Sequence, residues 1–173
     1  PQITFATFTS SHRRFEQEAN ANGDPYTTFA YKVNDGDDYS SSASTMTFDV
    51  TAVNDAPTVS SEPAVSIKGV EETAFATDNF NFTDVDAGDA LDHIEVTSLE
   101  DAGTLYLDAD NDDAYDSGED ITANQDITFA NITSGHLRFA PAANANGDPY
   151  TTFAYKVNDG DDYSSSASTM TID

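Results

Sequence analysis

The sequence contains no cysteine and no tryptophan, and only six lysines and arginines. Without cysteine, neither a disulfide nor a thiolate zinc site can hold the fold. Six bases leave no stripe of positive charge to track a phosphate backbone. Set against 32 acids they give a formal net charge of −26, which repels nucleic acid and anionic membranes alike. No apolar run is long enough to span a bilayer, and no secretory leader pattern is present. With Pro1 in first place, the chain is expected to be a piece of something larger. There is no glycine-rich phosphate loop, no zinc spacing and no nucleophile–base pair. Serine runs such as "YSSSAS" read as strand-edge filler, so an enzyme is not expected.

What is present is repetition. "NANGDPYTTFAYKVNDGDDYSSSASTM" runs from Asn20 to Met46 and again, letter for letter, from Asn144 to Met170. Extending backwards pairs "QITFATFTSSHRRF" with "DITFANITSGHLRF" at the same offset of 124 positions. So close a match at one fixed period marks recent duplication within an array. Residues 1–53 are the C-terminal part of one repeat, and residues 54–173 are a complete one, with the join at 53–57. A repeat of about 120 residues suits one β-sandwich and is too long for a solenoid coil.

The apolar residues are mostly Val, Ile, Phe, Tyr and Ala, a β-forming mix. Within the complete repeat the spacing predicts strands at 64–69, 80–83, 91–97 and 103–108, short ones at "DITF" and "HLRF", then 151–158 and the closing "SASTMTID". Leu105 and Leu107 are expected to point inward, as are Phe153, Tyr155 and Val157. Gly, Asn and Asp punctuate the gaps, and no segment shows a helical period. About seven short strands in this length predict an all-β, immunoglobulin-like sandwich in tandem repeats.

Acids gather in the turns: "DVDAGD" at 84–89, "VNDGDD" at 157–162 and again at 33–38, and "VNDAP" at 53–57. Such density has two readings. One is a solubilising acidic surface. The other is a set of hard-cation ligands, because calcium takes several carboxylate and carbonyl oxygens. Taken singly, each Asp-Gly step is an ordinary hairpin turn.

Their order carries a resemblance. "GVEETAF…NFTDVDAGDALDHIEV…VNDGDDYSSSASTMTFDVTAVNDAP" resembles the cadherin repeat. It is closer still to the bacterial cadherin-like repeats, joined by VNDAP, of very large RTX-like surface adhesins. The resemblance implies calcium held between successive repeats. At the join it implies ligands Asn54 and Asp55, with Asp84, Asp86 and Asp159 from the downstream repeat and Asp24 from the upstream one. Glu71 or Glu72, with Asp148, would serve the next join. Ala52 and Ala56 stand where cadherins carry acids or amides, so fewer ions and weaker binding are implied.

A further cluster stands apart from the family. "DADNDDAYDSGE" fills every ligand position of a twelve-residue calcium loop: Asp108, Asp110, Asp112, the Ala114 carbonyl, Asp116 and Glu119. Asp113 replaces the glycine at position six. No helices flank the loop, so it would form a calcium-binding hairpin between strands. Six acids in twelve residues repel one another, and one dication relieves that. His12, His93 and His136 read as surface or partly packed residues. The implied function is a non-catalytic, calcium-stabilised extender repeat of a bacterial surface adhesin, extracellular and active in cell adhesion or biofilm, with neighbouring repeats as partners. Two alternatives remain. One is a polysaccharide-binding module using Tyr39, Tyr106, Tyr115 or Tyr163. The other is a filament or surface-layer subunit in which strands are exchanged between copies.

Overall fold

A computed structural model describes residues 15–59, 62–67 and 71–173. His12 and the end of the strand expected at 64–69 lie outside these. The chain divides into two compact units, Pro1–Val53 and Asn54–Asp173. Nearly all of the regular structure is β.

In the first unit, β1 (Gly23–Tyr31) and β2 (Ser44–Val50) form an antiparallel hairpin in which Phe29 faces Met46 and Tyr31 faces Ser44. Phe15 stacks on Phe48 with ring centres 4.5 Å apart. The connecting turn is held by side chains that substitute for a longer ladder. Asp35 Oδ1 accepts from the Asp37 and Asp38 amides, and Asn34 Oδ1 accepts from the Gly36 amide.

Among the described residues the second unit has eight strands, two of them only two residues long. A five-stranded sheet runs in the order β3 (Ala64–Val65), β10 (Ser168–Ile172), β9 (Thr151–Asn158), β5 (His93–Ser98), β7 (Gln125–Thr128). A three-stranded sheet runs β4 (Thr73–Ala74), β8 (Leu137–Ala140), β6 (Thr104–Leu107). β9 is flanked on both sides, antiparallel to β10 and to β5. Its alternation is clean, with Thr151, Phe153, Tyr155 and Val157 inward and Thr152, Ala154 and Lys156 outward, as the two-residue period of a strand requires. Both sheets contribute to one core. Ile94, Val96, Phe153, Tyr155, Met170 and Ile172 from the first meet Phe75, Leu105, Leu137 and Phe139 from the second. Aromatic edges close the interface: Phe75 meets Phe153 at 5.6 Å and Phe80 meets Tyr155 at 5.1 Å. Each such side chain contributes about 1.5–3 kcal/mol by leaving water. Two sheets around one core are consistent with a β-sandwich.

Three local expectations differ. "FNFT" is not a strand; Phe80 still enters the core, but Thr83 pairs only through a bridge to Thr58. "DITF" is a strand only through Thr128. The Thr128 side chain then accepts from the Asn131 amide and caps a five-residue helix, Phe129–Thr133, which leaves Phe129 exposed. In β6, Tyr106 is buried as completely as Leu105, while Leu107 is only partly covered. Opposite faces of β6 are both buried because the acidic loop folds over its outer face. Gly103 opens this strand at φ +79, and a Cβ there would lie 2.2 Å from Phe139 Cζ. The turn thus needs glycine for conformation and for space.

Candidate metal centres

The fold assembles two groups of carboxylates in the second unit. The first draws on three stretches far apart in sequence. The join at 54–55 lies along the loop after Phe82 and against the hairpin between β9 and β10. Asn54 Nδ2 donates to Asp159 Oδ2 at 3.2 Å and to Asp162 Oδ2 at 3.3 Å. The Asp55 amide donates to Asp86 Oδ2 at 2.7 Å, and the Asp86 amide to Asp84 Oδ1 at 2.8 Å. Carboxylate oxygens of Asp84, Asp89 and Asp159 lie within 4.8 Å of one another. Asp84 Oδ2 is buried with no hydrogen-bond partner.

The electrostatics of the three differ. Burial, reinforced by the charges of Asp84, Asp86, Asp159 and Asp161, raises the Asp89 pKa. Burial pushes Asp159 the same way. It is outweighed there by the Asp162 and Asp161 amides and the Asn54 side chain, and the net shift is downward. Asp159 is thus held as an anion by the turn it caps, while Asp89 bears the cost of being close to it.

The second group is the hairpin tip on β6. Ladder bonds run from the Ile121 amide to the Leu105 carbonyl at 3.1 Å and from the Leu107 amide to the Glu119 carbonyl at 3.0 Å, which brings both ends of residues 108–119 together. Asp108 is fully buried, and its two oxygens accept from the Asn111 amide at 2.7 Å and the Asp113 amide at 3.1 Å. Glu119 accepts from the Ala109 and Asp116 amides. Oxygens of Asp108, Asp110 and Glu119 lie within 4.8 Å of each other, as do those of Asp110, Asp112 and Asp116. Asp110 is common to both triplets. Burial and the charges of Asp112, Glu119 and Asp116 raise its pKa. Ala114 is exposed, and its amide donates to Asp112 Oδ1.

Asp113 explains how the loop turns without glycine at position six. It sits at φ +67, a region that aspartate enters more readily than most residues. Its carboxylate points away from the other acids to Arg138, with Nη1 at 2.6 Å. Arg138 Nε also donates to the Tyr106 hydroxyl at 3.2 Å, and that hydroxyl donates to Glu72. Burial and Glu72 together keep Tyr106 protonated. Tyr106 meets the edge of Tyr115 at 5.5 Å, and Tyr115 in turn donates to Asp120.

Of the residues singled out in the sequence, Asn54, Asp55, Asp84, Asp86 and Asp159 converge, and so do Asp108, Asp110, Asp112, Asp116 and Glu119. Asp89 and Asp162 were missed, although both sit in the same short acidic runs. Asp24 belongs to the first unit, at the start of β1. Asp148, Glu71 and Glu72 are in neither carboxylate group among the described residues; Glu72 is engaged by Tyr106. On the outer face of the larger sheet, the Tyr163 hydroxyl lies 2.9 Å from His93 Nε2 and donates to Asp126 at 2.8 Å. His136 is half-buried, and its carbonyl accepts from the Asp108 amide.

Comparison of the chain with models of known families, with curated proteins and with solved structures gave no match to any of them.

Proposed function

We propose that this chain is a non-catalytic, calcium-stabilised extender segment of a large bacterial surface adhesin, made of cadherin-like, immunoglobulin-like sandwiches in tandem and working outside the cell. The observation that carries the reading is the convergence of Asn54–Asp55, Asp84–Asp89 and Asp159–Asp162 on one another. Segments that distant are gathered only by the fold, and the gathered carboxylates face no arginine or lysine among the described ion pairs. The hairpin tip at 108–119 presents the same chemistry with a buried Asp108 at its root. Calcium is the hard cation whose demand for many oxygens such groups meet. By screening acids at the join it would stiffen the connection between repeats, so that an array could hold a distal tip away from the cell.

Thermal unfolding and calcium calorimetry test this. Calcium at a hundred times its dissociation constant is expected to add about 2.7 kcal/mol, with the gain confined to residues 54–173. A chelator that changes neither the melting temperature nor the hydrodynamic size overturns the reading. Of the tyrosines the polysaccharide alternative would use, Tyr106 is buried and the Tyr163 hydroxyl is engaged, while Tyr39 is exposed.

A further inference from the structure

On the outer face of the larger sheet, side chains from separate parts of the fold meet end to end. Asp92 and His93 stand where β5 begins, Asp126 lies in β7, and Tyr163 comes just after the turn that follows β9. Asp92 Oδ2 is 2.7 Å from His93 Nδ1, and His93 Nε2 is 2.9 Å from the Tyr163 hydroxyl. That hydroxyl donates to Asp126 Oδ1 at 2.8 Å. The ring packs edge-on against Tyr163, with centres 5.3 Å apart, and the His93 side chain is only 18 % exposed.

Counting hydrogens fixes the state of the ring. Three contacts of this length need three hydrogens. An ionised carboxylate brings none, and a tyrosine hydroxyl brings one. That one is directed at Asp126. The hydrogen between Nε2 and the Tyr163 oxygen then belongs to the ring, and so does the one between Nδ1 and Asp92. A neutral imidazole has a single N–H, so one contact always lacks its hydrogen, whichever tautomer forms. The third hydrogen does not reside on Asp92 or Asp126, whose side chains are 62 % and 55 % exposed. Imidazole is the stronger base, ordinarily at about 6.5 against about 3.9 for aspartate. The surroundings match a positive ring. Glu95 shares the His93 face of β5 and lies opposite both Asp126 and Lys156. Three acids thus face one lysine around the ring.

We propose that Asp92, His93, Tyr163 and Asp126 form a proton-operated latch on the turn at 158–163, closed while both ring nitrogens carry hydrogen and one link short when either loses it. The proton is exchanged with solvent. What the latch holds is the turn whose Asp159 and Asp162 accept from Asn54. Asn158 is bridged to Tyr163 across that turn, and the Ser164 amide donates to the Val157 carbonyl at 2.8 Å. Tying Tyr163 to β5 and β7 therefore secures both ends of the turn. The latch is tight in mildly acidic solution and slackens as pH rises through the histidine range. It needs no metal and does not depend on the calcium reading.

NMR of the intact, ¹⁵N-labelled chain in chelator tests this. Both ring N–H hydrogens of His93 are expected in the spectrum at about pH 5, held from exchange by Asp92 and Tyr163, and only one at about pH 8. The protection factor of the Ser164 amide, which removes the intrinsic effect of pH on exchange, is expected to fall about fivefold between these conditions. In His93→Gln and in Tyr163→Phe it is expected to be lower from the start and unchanged by pH. Protection in the natural chain that is equal at both pH values overturns the proposal. So does a fall of the same size in His93→Gln, which assigns the titration to another group. Absence of both ring hydrogens at about pH 5 also overturns it, since neither nitrogen is then engaged. If a variant does not fold, the ring measurement on the unaltered chain decides. A chain that bound no calcium would still show the latch.

Discussion

The hairpins β1–β2 and β9–β10 carry the same residues and have opposite fates. In β9, Phe153, Tyr155 and Val157 are the centre of a core; Phe29 and Tyr31 in β1, and Val33 just after it, are exposed. Alternation in a strand says which side chains share a face, but burial is decided by what lies against that face. Phe75, Phe80 and Leu105 make the difference, and they come from segments that resemble nothing in the hairpin; the counterpart of Phe139 is Phe15, which stacks on Phe48. The pair is a natural double experiment, with local sequence held constant and tertiary cover varied.

The comparison is broken most directly by truncating the same residue twice. Phe153→Ala is expected to cost about 3–5 kcal/mol, through lost burial and the cavity left behind. Phe29→Ala is expected to cost about 1 kcal/mol or less. Urea unfolding followed separately in the two units by amide exchange reads both. Equal effects would mean that the hairpins are equally covered in solution.

Glycine gives the next contrast. Gly103→Ala places a methyl group against the Phe139 ring at a positive φ, and about 2–4 kcal/mol is expected from overpacking and strain together. Gly36 has a positive φ with nothing within 4 Å, so Gly36→Ala should cost only the backbone term, about 1–2 kcal/mol.

A smaller global effect is expected from Arg138→Met. Asp113 is mostly exposed, so the ion pair itself is worth about 1 kcal/mol or less. Residues 109–118 are expected to lose order far more than the sheet beneath them, and exchange rates at the loop amides check this. If loop and sheet loosen together, Arg138 is a general support rather than a tether.

The last effect is confined to alkaline solution and to the second unit. Burial pushes Tyr155 up to about 12, and burial followed by the Asp126 hydrogen bond pushes Tyr163 up to about 12. Both folded-state values exceed the ordinary value of about 10 for an unfolded tyrosine. The folded state therefore holds these protons more tightly. That stabilisation is whole below pH 10 and is lost as pH rises towards 12. Chemical unfolding at stepped pH should show the midpoint falling in that window, and less steeply in Tyr163→Phe.

Much of this was legible because the sequence repeats itself. A duplicated run of letters shows the repeat without any structural reasoning, and the strong alternation of "TTFAYKVN" marks β9. The gathering of acids at 108–119 was legible because they recur at close, regular spacing. What escaped depends on contacts between distant segments. Nothing local distinguishes Asp89 from its neighbours until Asp159 lies within 4.8 Å of it. Asp113 looked like a defect at a glycine position; its partner, Arg138, is 25 residues away. "DITF" read as a strand throughout because the capping action of Thr128 appears only once Asn131 turns back to it. Tyr106 read as an outward residue, since the sequence does not say that a hairpin tip will fold across it.

Identical hairpins also give the nascent polypeptide a choice. Translation completes β1–β2 before β5 exists, and completes β9–β10 only afterwards. The first half of the second repeat is thus made while a hairpin identical to its own already stands upstream. Sequence divergence among neighbouring repeats would remove the decoy, and this chain has kept it.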